Sequence, residues 1–243
     1  MVGFICYFKA QFLESLQISE CKGLQSLNIE SGSRFQTLTI LDCLQLNEIY
    51  VFAYNLRKVV FQGQLPWFSV KYSPNMETVI LDFRHGPGYS PFACENLLLM
   101  DFKHVKALTV SAWLFKVPIP KWLPSAGAIC ARNDFAFNNL KELCWIDSTM
   151  GNQSIATLIS VLRISPFLEQ LLINVDPRNY CGPSEGGICS FWKEYSNRVA
   201  NATTWEHLNV VKLKGVLGKE DEILLTQCLA QVASKELRLI HVN

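Results

Sequence analysis

Apolar residues in the first fifty positions fall into two matching sets, offset by 22 residues. Leu13, Leu16, Ile18, Cys21, Leu24, Leu27 and Ile29 recur as Phe35, Leu38, Ile40, Cys43, Leu46, Ile49 and Val51. The kernel of each set, L-x-x-L-x-I, returns at Leu56-Val59-Phe61, Met76-Val79-Leu81 and Val105-Leu108-Val110. It returns again at Leu140-Leu143-Trp145, Leu168-Leu171-Ile173 and Leu208-Val211-Leu213. Marked by its middle residue, the series runs Leu16, Leu38, Val59, Val79, Leu108, Leu143, Leu171, Val211, at spacings of 22, 21, 20, 29, 35, 28 and 40. One such match is expected by chance in a chain that is 49% hydrophobic, but eight in order are not.

Within each kernel the last two apolar residues alternate with one other residue, the period of a short strand with one face buried. Leu27 with Ile29, and Ile49 with Val51, form a second such pair in each of the first two repeats. The early repeats therefore predict two short strands each and no helix. The full pattern, with cysteine where asparagine often stands, is the leucine-rich-repeat signature. One such coil cannot bury its apolar face alone, so neighbouring coils must stack. The fold class predicted is α/β: a right-handed leucine-rich-repeat solenoid with a parallel sheet of about eight short strands, irregular coils and a few helices.

The later coils have room for helices. After Gly151, residues 152–163 place Ile155, Leu158, Ile159 and Leu162 at i, i+3, i+4, i+7, with Asn152 as N-cap and Pro166 as stop. Residues 219–233 open with Glu220, Asp221 and Glu222, which suit the positive end of a helix, and carry the apolar set Ile223, Leu224, Leu229 and Val232. Residues 1–175 read as the solenoid and 176–204, with Pro177, Gly182, Pro183, Gly186 and Gly187, as a loop excursion. Residues 205–243 read as strand, helix and a last strand at 237–242 that continue the solenoid. Repeats begin almost at once and neither end carries a clear polar cap, which is expected of one piece of a longer solenoid.

Charge and composition narrow the function classes. The formal net charge is +1 with no basic cluster, which argues against a nucleic-acid footprint. No apolar run approaches the length of a membrane span, and the first eleven residues lack a basic start and a cleavage site, so neither membrane nor secretion is expected. The nine cysteines are odd in number and contain no C-x-x-C, so reduced thiols in a cytoplasmic or nuclear protein are the expectation. Only Cys181 and Cys189 lie close in sequence; they do not make a zinc pattern, and a disulfide between them would need an oxidising compartment. The sequons at Asn152 and Asn201 are then coincidental.

Candidate chemistry is sparse. There is no G-x-S-x-G, P-loop, H-E-x-x-H or G-x-G-x-x-G, and four histidines among nine cysteines carry no specific pairing. Asp82, Arg84 and His85 precede Gly86-Pro87-Gly88 and read as solvated side chains on a turn. Trp67, Trp113, Trp122, Trp145, Trp192 and Trp205 lack interleaved basic residues and read as packing groups. No enzyme activity, cofactor or metal is expected.

The residue between the two apolar ones of a kernel points away from the core. Gln17, Thr39, Val60, Ile80, Thr109, Cys144, Leu172 and Lys212 then form one row across the sheet, polar at both ends and mostly apolar in the middle. An apolar centre with a polar rim is the pattern of a protein interface, and these eight are the candidate protein-binding residues. The competing expectation is that long loops, or the 176–204 excursion, fold over the row. Leu38, on the opposite side of its strand, is expected to be fully buried.

Several runs resemble plant F-box/LRR-repeat proteins. They are Ala53-Tyr-Asn-Leu-Arg57, Phe137-Asn-Asn-Leu-Lys-Glu-Leu143, the helix after it, and Pro166-Phe-Leu-Glu-Gln-Leu-Leu-Ile173. Leu208-Asn-Val-Val-Lys-Leu-Lys-Gly215 with Glu220-Asp-Glu-Ile-Leu-Leu225 is similar to the FBD-type tail of that family. The resemblance implies a protein-binding scaffold like the substrate-holding region of a cullin ubiquitin ligase adaptor, whose F-box module binds a Skp-type partner. No segment here resembles an F-box, so this chain alone is expected not to bind that adaptor. The alternatives are a free-standing repeat module or gene fragment without a ligase role, and a small-ligand receptor.

Overall fold

The computed structural model describes residues 3–71, 73–88, 101–116, 135–180, 193, 196–197, 206–215, 217–232 and 238–242. Two parallel sheets share one apolar core. The long sheet has nine strands: β2 (Ser15–Ser19), β4 (Thr37–Leu41), β6 (Lys58–Gln62), β8 (Thr78–Asp82), β9 (Ala107–Ser111), β10 (Glu142–Asp147), β11 (Gln170–Val175), β12 (Val210–Gly215) and β13 (Arg238–Val242), adjacent in that order. The short sheet joins β1 (Phe4–Ala10), β3 (Leu24–Ser31), β5 (Glu48–Phe52) and β7 (Trp67–Lys71). The first coils thus carry two strands each, and the eight kernels are eight of the nine long-sheet strands.

The register repeats without a slip from kernel to kernel. Leu16 lies opposite Leu38, Leu38 opposite Val59, Val59 opposite Val79, and Val79 opposite Leu108. The line continues through Leu143, Leu171 and Val211 to Leu239. A slip of one residue would turn every core side chain outward, so burial of one face specifies this pairing. Leu38, Val79 and Val211 are 0% exposed and Val59 is 1% exposed.

Aromatic rings fill the space between coils. Phe61 meets Phe68 of the short sheet edge-on at 5.9 Å and Phe83 of the next coil at 5.3 Å. Phe83 meets Trp113, and Trp113 meets Tyr180 at 5.5 Å. Phe115 stacks on Trp145 at 5.4 Å. Trp113 donates its indole N–H to the Phe83 carbonyl. Trp113 and Trp145 are core residues; Trp122, Trp192 and Trp205 lie outside the described residues.

The coil edges are laddered as well. Asn55 donates to the Ser33 carbonyl, Asn75 to Asn55 Oδ1, and Asn139 to the His104 carbonyl. Each of these asparagines sits just before a kernel and ties its turn to the coil before it. After the strands, Glu20 and Asp42 take positive φ of 50° and 51° at equivalent positions. Their backbone N–H groups donate to Leu41 and Gln62 carbonyls of the following coil.

Helices enter where the coils lengthen. A 3-10 turn, Ala112–Phe115, follows β9; α1 (Asn152–Arg163) follows β10; α2 (Lys219–Val232) follows β12 and touches α1. Ile155, Leu158 and Leu162 of α1 are buried and Ile159 packs at the edge, as its stripe predicts. The buried hydroxyls of Thr157 and Ser160 in α1, and of Ser165 just after it, donate to the carbonyls of Gln153, Ala156 and Val161 respectively, each four residues back. The N-cap is Gly151, not Asn152: Gly151 is extended, makes no side-chain cap, and Asn152 is already helical. In α2 the stripe is rotated from the expected one. Leu225 and Leu229 are buried with Leu224 and Cys228 at the edge, while Ile223 is 57% exposed. Three apolar residues in a row, Ile223-Leu224-Leu225, left the helix free to choose, and the i, i+4 pair Leu225 and Leu229 took the core. The side chain of Val232 lies outside the described residues, as does most of the 176–204 excursion, with Cys181 and Cys189.

Candidate functional site

Parallel registers carry the middle residue of each kernel onto one line. Gln17 is paired with Thr39, Thr39 with Val60, Val60 with Ile80, and Ile80 with Thr109. The line goes on through Cys144, Leu172 and Lys212, and β13 extends it to Ile240. All eight expected residues therefore stand in one row on the face of the long sheet turned away from the core. Gln17 is exposed and the other seven are half-buried, Val60, Ile80 and Leu172 among them. The central residues keep accessible surface rather than vanishing under cover.

Period two also brings the residues two places either side onto this face. Around the centre of the row a groove of about 290 Å³ is lined by Ile80, Thr109, Cys144, Leu172 and Lys212, with Glu142 and Gln170 at its edge. The kernel pattern picks out the middle row alone, so Glu142, Gln170, Lys214 and Arg238 were missed; the same alternation, carried one step further along each strand, places them.

Cys144 reports on the electrostatics of the groove. Burial pushes its thiol up to about 11; Asp82 adds to this, while a hydrogen bond with Thr109 and the charge of Lys214 act the other way. The thiol is protonated at neutral pH and its nucleophilic thiolate is scarce. Iodoacetamide is expected to label Cys144 more slowly than a free thiol at pH 7.5, with the rate still rising near pH 10. Mass spectrometry of the peptide containing Cys144 checks this; a rate that levels off below pH 9 contradicts it.

At one end of this face Asp82 is buried, which corrects its reading as a solvated turn residue. Its carboxylate is paired with Arg84, which is drawn back along the turn to meet it. Arg84 and His85 keep much of their surface, His85 lying 3.6 Å from Asp42. Tyr180 donates its backbone N–H to the Arg84 carbonyl, so this turn is pinned from the coil of β11. A second buried pair, Lys116 to Asp147 at 2.9 Å, ties the 3-10 turn to the end of β10 on the core side. These pairs are structural fasteners. Among the described residues, no three His, Cys, Asp or Glu side chains converge as a metal-ligating group, and no helix is long and apolar enough to cross a membrane. Cys6, Cys21, Cys43, Cys144 and Cys228 are free thiols.

The outer face of the short sheet has its own depression of about 380 Å³, between Tyr7, Asn28, Tyr50 and Phe52. Tyr7 is 73% exposed. The run Phe4–Ala10 is apolar on both parities, which hides its strand in the sequence.

A two-sheet stack of parallel coils, built on a kernel repeated in register, is a leucine-rich-repeat solenoid. Over residues 5–239 the chain matches the family model of the At1g61320/AtMIF1 leucine-rich-repeat domain. It belongs to that plant leucine-rich-repeat family, whose domain is a protein-interaction scaffold. No curated protein and no solved structure gives a significant match to the chain.

Proposed function

We propose that the chain holds a partner protein on the open face of the long sheet, in the manner of the substrate-holding region of a ubiquitin ligase adaptor. The observation that carries the docking face is the continuous row from Gln17 to Lys212, apolar and accessible at its centre and lined into a groove. Exposed apolar surface with a polar rim is the usual anatomy of a protein interface. The ligase role is supported by the likeness of the 137–173 and 208–225 runs to F-box/LRR-repeat proteins. A cytoplasmic or nuclear location goes with it, in keeping with the free thiols among the described residues.

A photoreactive phenylalanine analogue at Ile80 or Leu172 tests the face. Each should trap a protein that the same analogue at Tyr54, an exposed turn residue, does not trap. Trapping from Tyr54 alone would place the interface elsewhere. The exposed aromatic surface around Tyr7 and Tyr50 favours a second contact there, and an analogue at Tyr7 would register it. The ligase role is tested separately: the trapped protein should accumulate and lose ubiquitin when the gene is deleted. An unchanged level would leave an interaction module with no ligase connection. The 243-residue chain by itself is expected to retain no Skp-type adaptor in a pull-down; robust retention would reveal an adaptor-binding module in it.

A further inference from the structure

The groove has a direction in charge as well as in shape. Lys212 and Lys214 stand two residues apart on β12 and so share the open face. Arg238, on β13, is opposite Val210 and joins the same face. None of the three meets a carboxylate in an ion pair among the described residues. Four other cations near strands are neutralised: Lys106 by Glu77, Lys141 by Glu169, Lys116 by Asp147 and Arg84 by Asp82, whereas Lys58 on β6 and Lys71 on β7 stand singly without such a partner among the described residues. The other charged groups on the open face are Lys58 on β6, Glu142 on β10 and Asp82, the last already held by Arg84. Glu142 lies three strands from Arg238, on the same side of the middle row as Arg238 and on the opposite side from Lys214. The result is an apolar floor of Ile80, Cys144 and Leu172 that ends at Lys212, with Lys214 and Arg238 flanking it on the same face.

We propose that the groove takes an extended acidic peptide segment of the partner, with an apolar anchor on Ile80, Cys144 and Leu172 and carboxylates on Lys212, Lys214 and Arg238. This rests on the open face being the docking surface. The argument is charge complementarity: Lys212 has Lys214 two residues along its own strand and Arg238 diagonally across on β13, so it is repelled from both sides until an anion joins it, and an acidic side chain removes that cost on binding. The size fits. From β8 to β12 the groove crosses four strand spacings, about 19 Å, which about six residues of extended chain would cover, with Arg238 one spacing further on β13, within reach of the last side chain. Such a segment alternates its side chains, so every second residue faces the floor.

A display library of random hexapeptides, selected on the full chain, tests the proposal. The enriched sequences should carry Asp or Glu following an apolar residue. Selection on the Lys212→Glu, Lys214→Glu double variant should invert this and enrich Lys or Arg at the same places. Both side chains are outside the core, so the variant should melt with the parent. An enriched acidic peptide should bind the variant roughly tenfold or more weakly than the parent, the size of a partly desolvated charge pair. Enrichment of neutral or basic sequences on the parent, a preference that fails to invert, or no enrichment at all overturns the acidic segment. Leu172→Arg separates the two levels. If it abolishes binding of a neutral enriched peptide, the face docks partners but not acidic ones. If enriched peptides bind this variant as well as the parent, the open face itself is refuted.

Discussion

Replacing Leu38 by aspartate is expected to cost the chain at least about 3 kcal/mol, the size of a large-to-small core substitution before any charge is added. Leu38 is 0% exposed and stands between Leu16 and Val59 in neighbouring strands. The introduced carboxylate has no cation on that side of β4, so it must either stay buried at high cost or drag its coil open. For a chain of this size the melting temperature should fall by about 6–12 °C for the first 3 kcal/mol alone. Thr39→Asp is the control: one residue along, on the opposite face, half-buried and solvated. It should cost under about 1 kcal/mol. Thermal melts of the two variants decide the matter. Equal effects, or an unchanged melt for Leu38→Asp, would put the strand register out by one residue.

That contrast rests on a regularity already present in the amino-acid letters. A kernel repeated eight times fixes which parity faces the core, and because each coil pairs with the next, one correct parity propagates to all. The marker residues pair from Leu16 to Val211 for that reason. Helix ends were legible where a single feature decided them, as at Arg163 before Pro166. They were not legible at the N-cap of α1, where Gly151 and Asn152 both suit a cap and only the backbone tells them apart. The rotation of α2 was hidden for a similar reason, since three adjacent apolar residues satisfy more than one stripe. The burial of Asp82 depends on Arg84 folding back on it, a choice of side-chain conformation that spacing does not encode. The row of candidate residues followed from alternation alone. The groove within it did not, because its walls come from residues two places away on four different strands. Its cationic end was only partly legible: Lys212 belongs to the row and Lys214 follows two places on, but Arg238 joins them only through the pairing of β12 with β13.

The second large effect is expected at Gly215, the last residue of β12. It occupies the place after the kernel that Glu20 and Asp42 hold in the first coils, and like them it has positive φ, here 96°. A side chain at this φ is strained by about 1–3 kcal/mol wherever it sits. Gly215 has a further constraint that Glu20 and Asp42 lack. A Cβ built on it would lie 1.9 Å from the Val175 carbonyl oxygen of the paired strand. That atom belongs to the backbone, so no rotamer change relieves the clash, and the end of β12 must leave β11. The turn at Gly215 leads straight into α2 and then β13, so the whole last coil depends on it. Gly215→Ala is therefore expected to destabilise by about 3 kcal/mol or more, with the loss concentrated at the C-terminal end, since each coil of a solenoid is held mainly by its neighbours. Hydrogen exchange should accelerate in β12, α2 and β13 while β4, β6 and β8 stay protected. The same change at Gly151, where φ is −69° and a Cβ meets nothing within 4 Å, should alter stability by no more than about 1 kcal/mol. If Gly215→Ala melts with the parent and exchanges like it, the close approach of β12 to β11 at this turn is not as described.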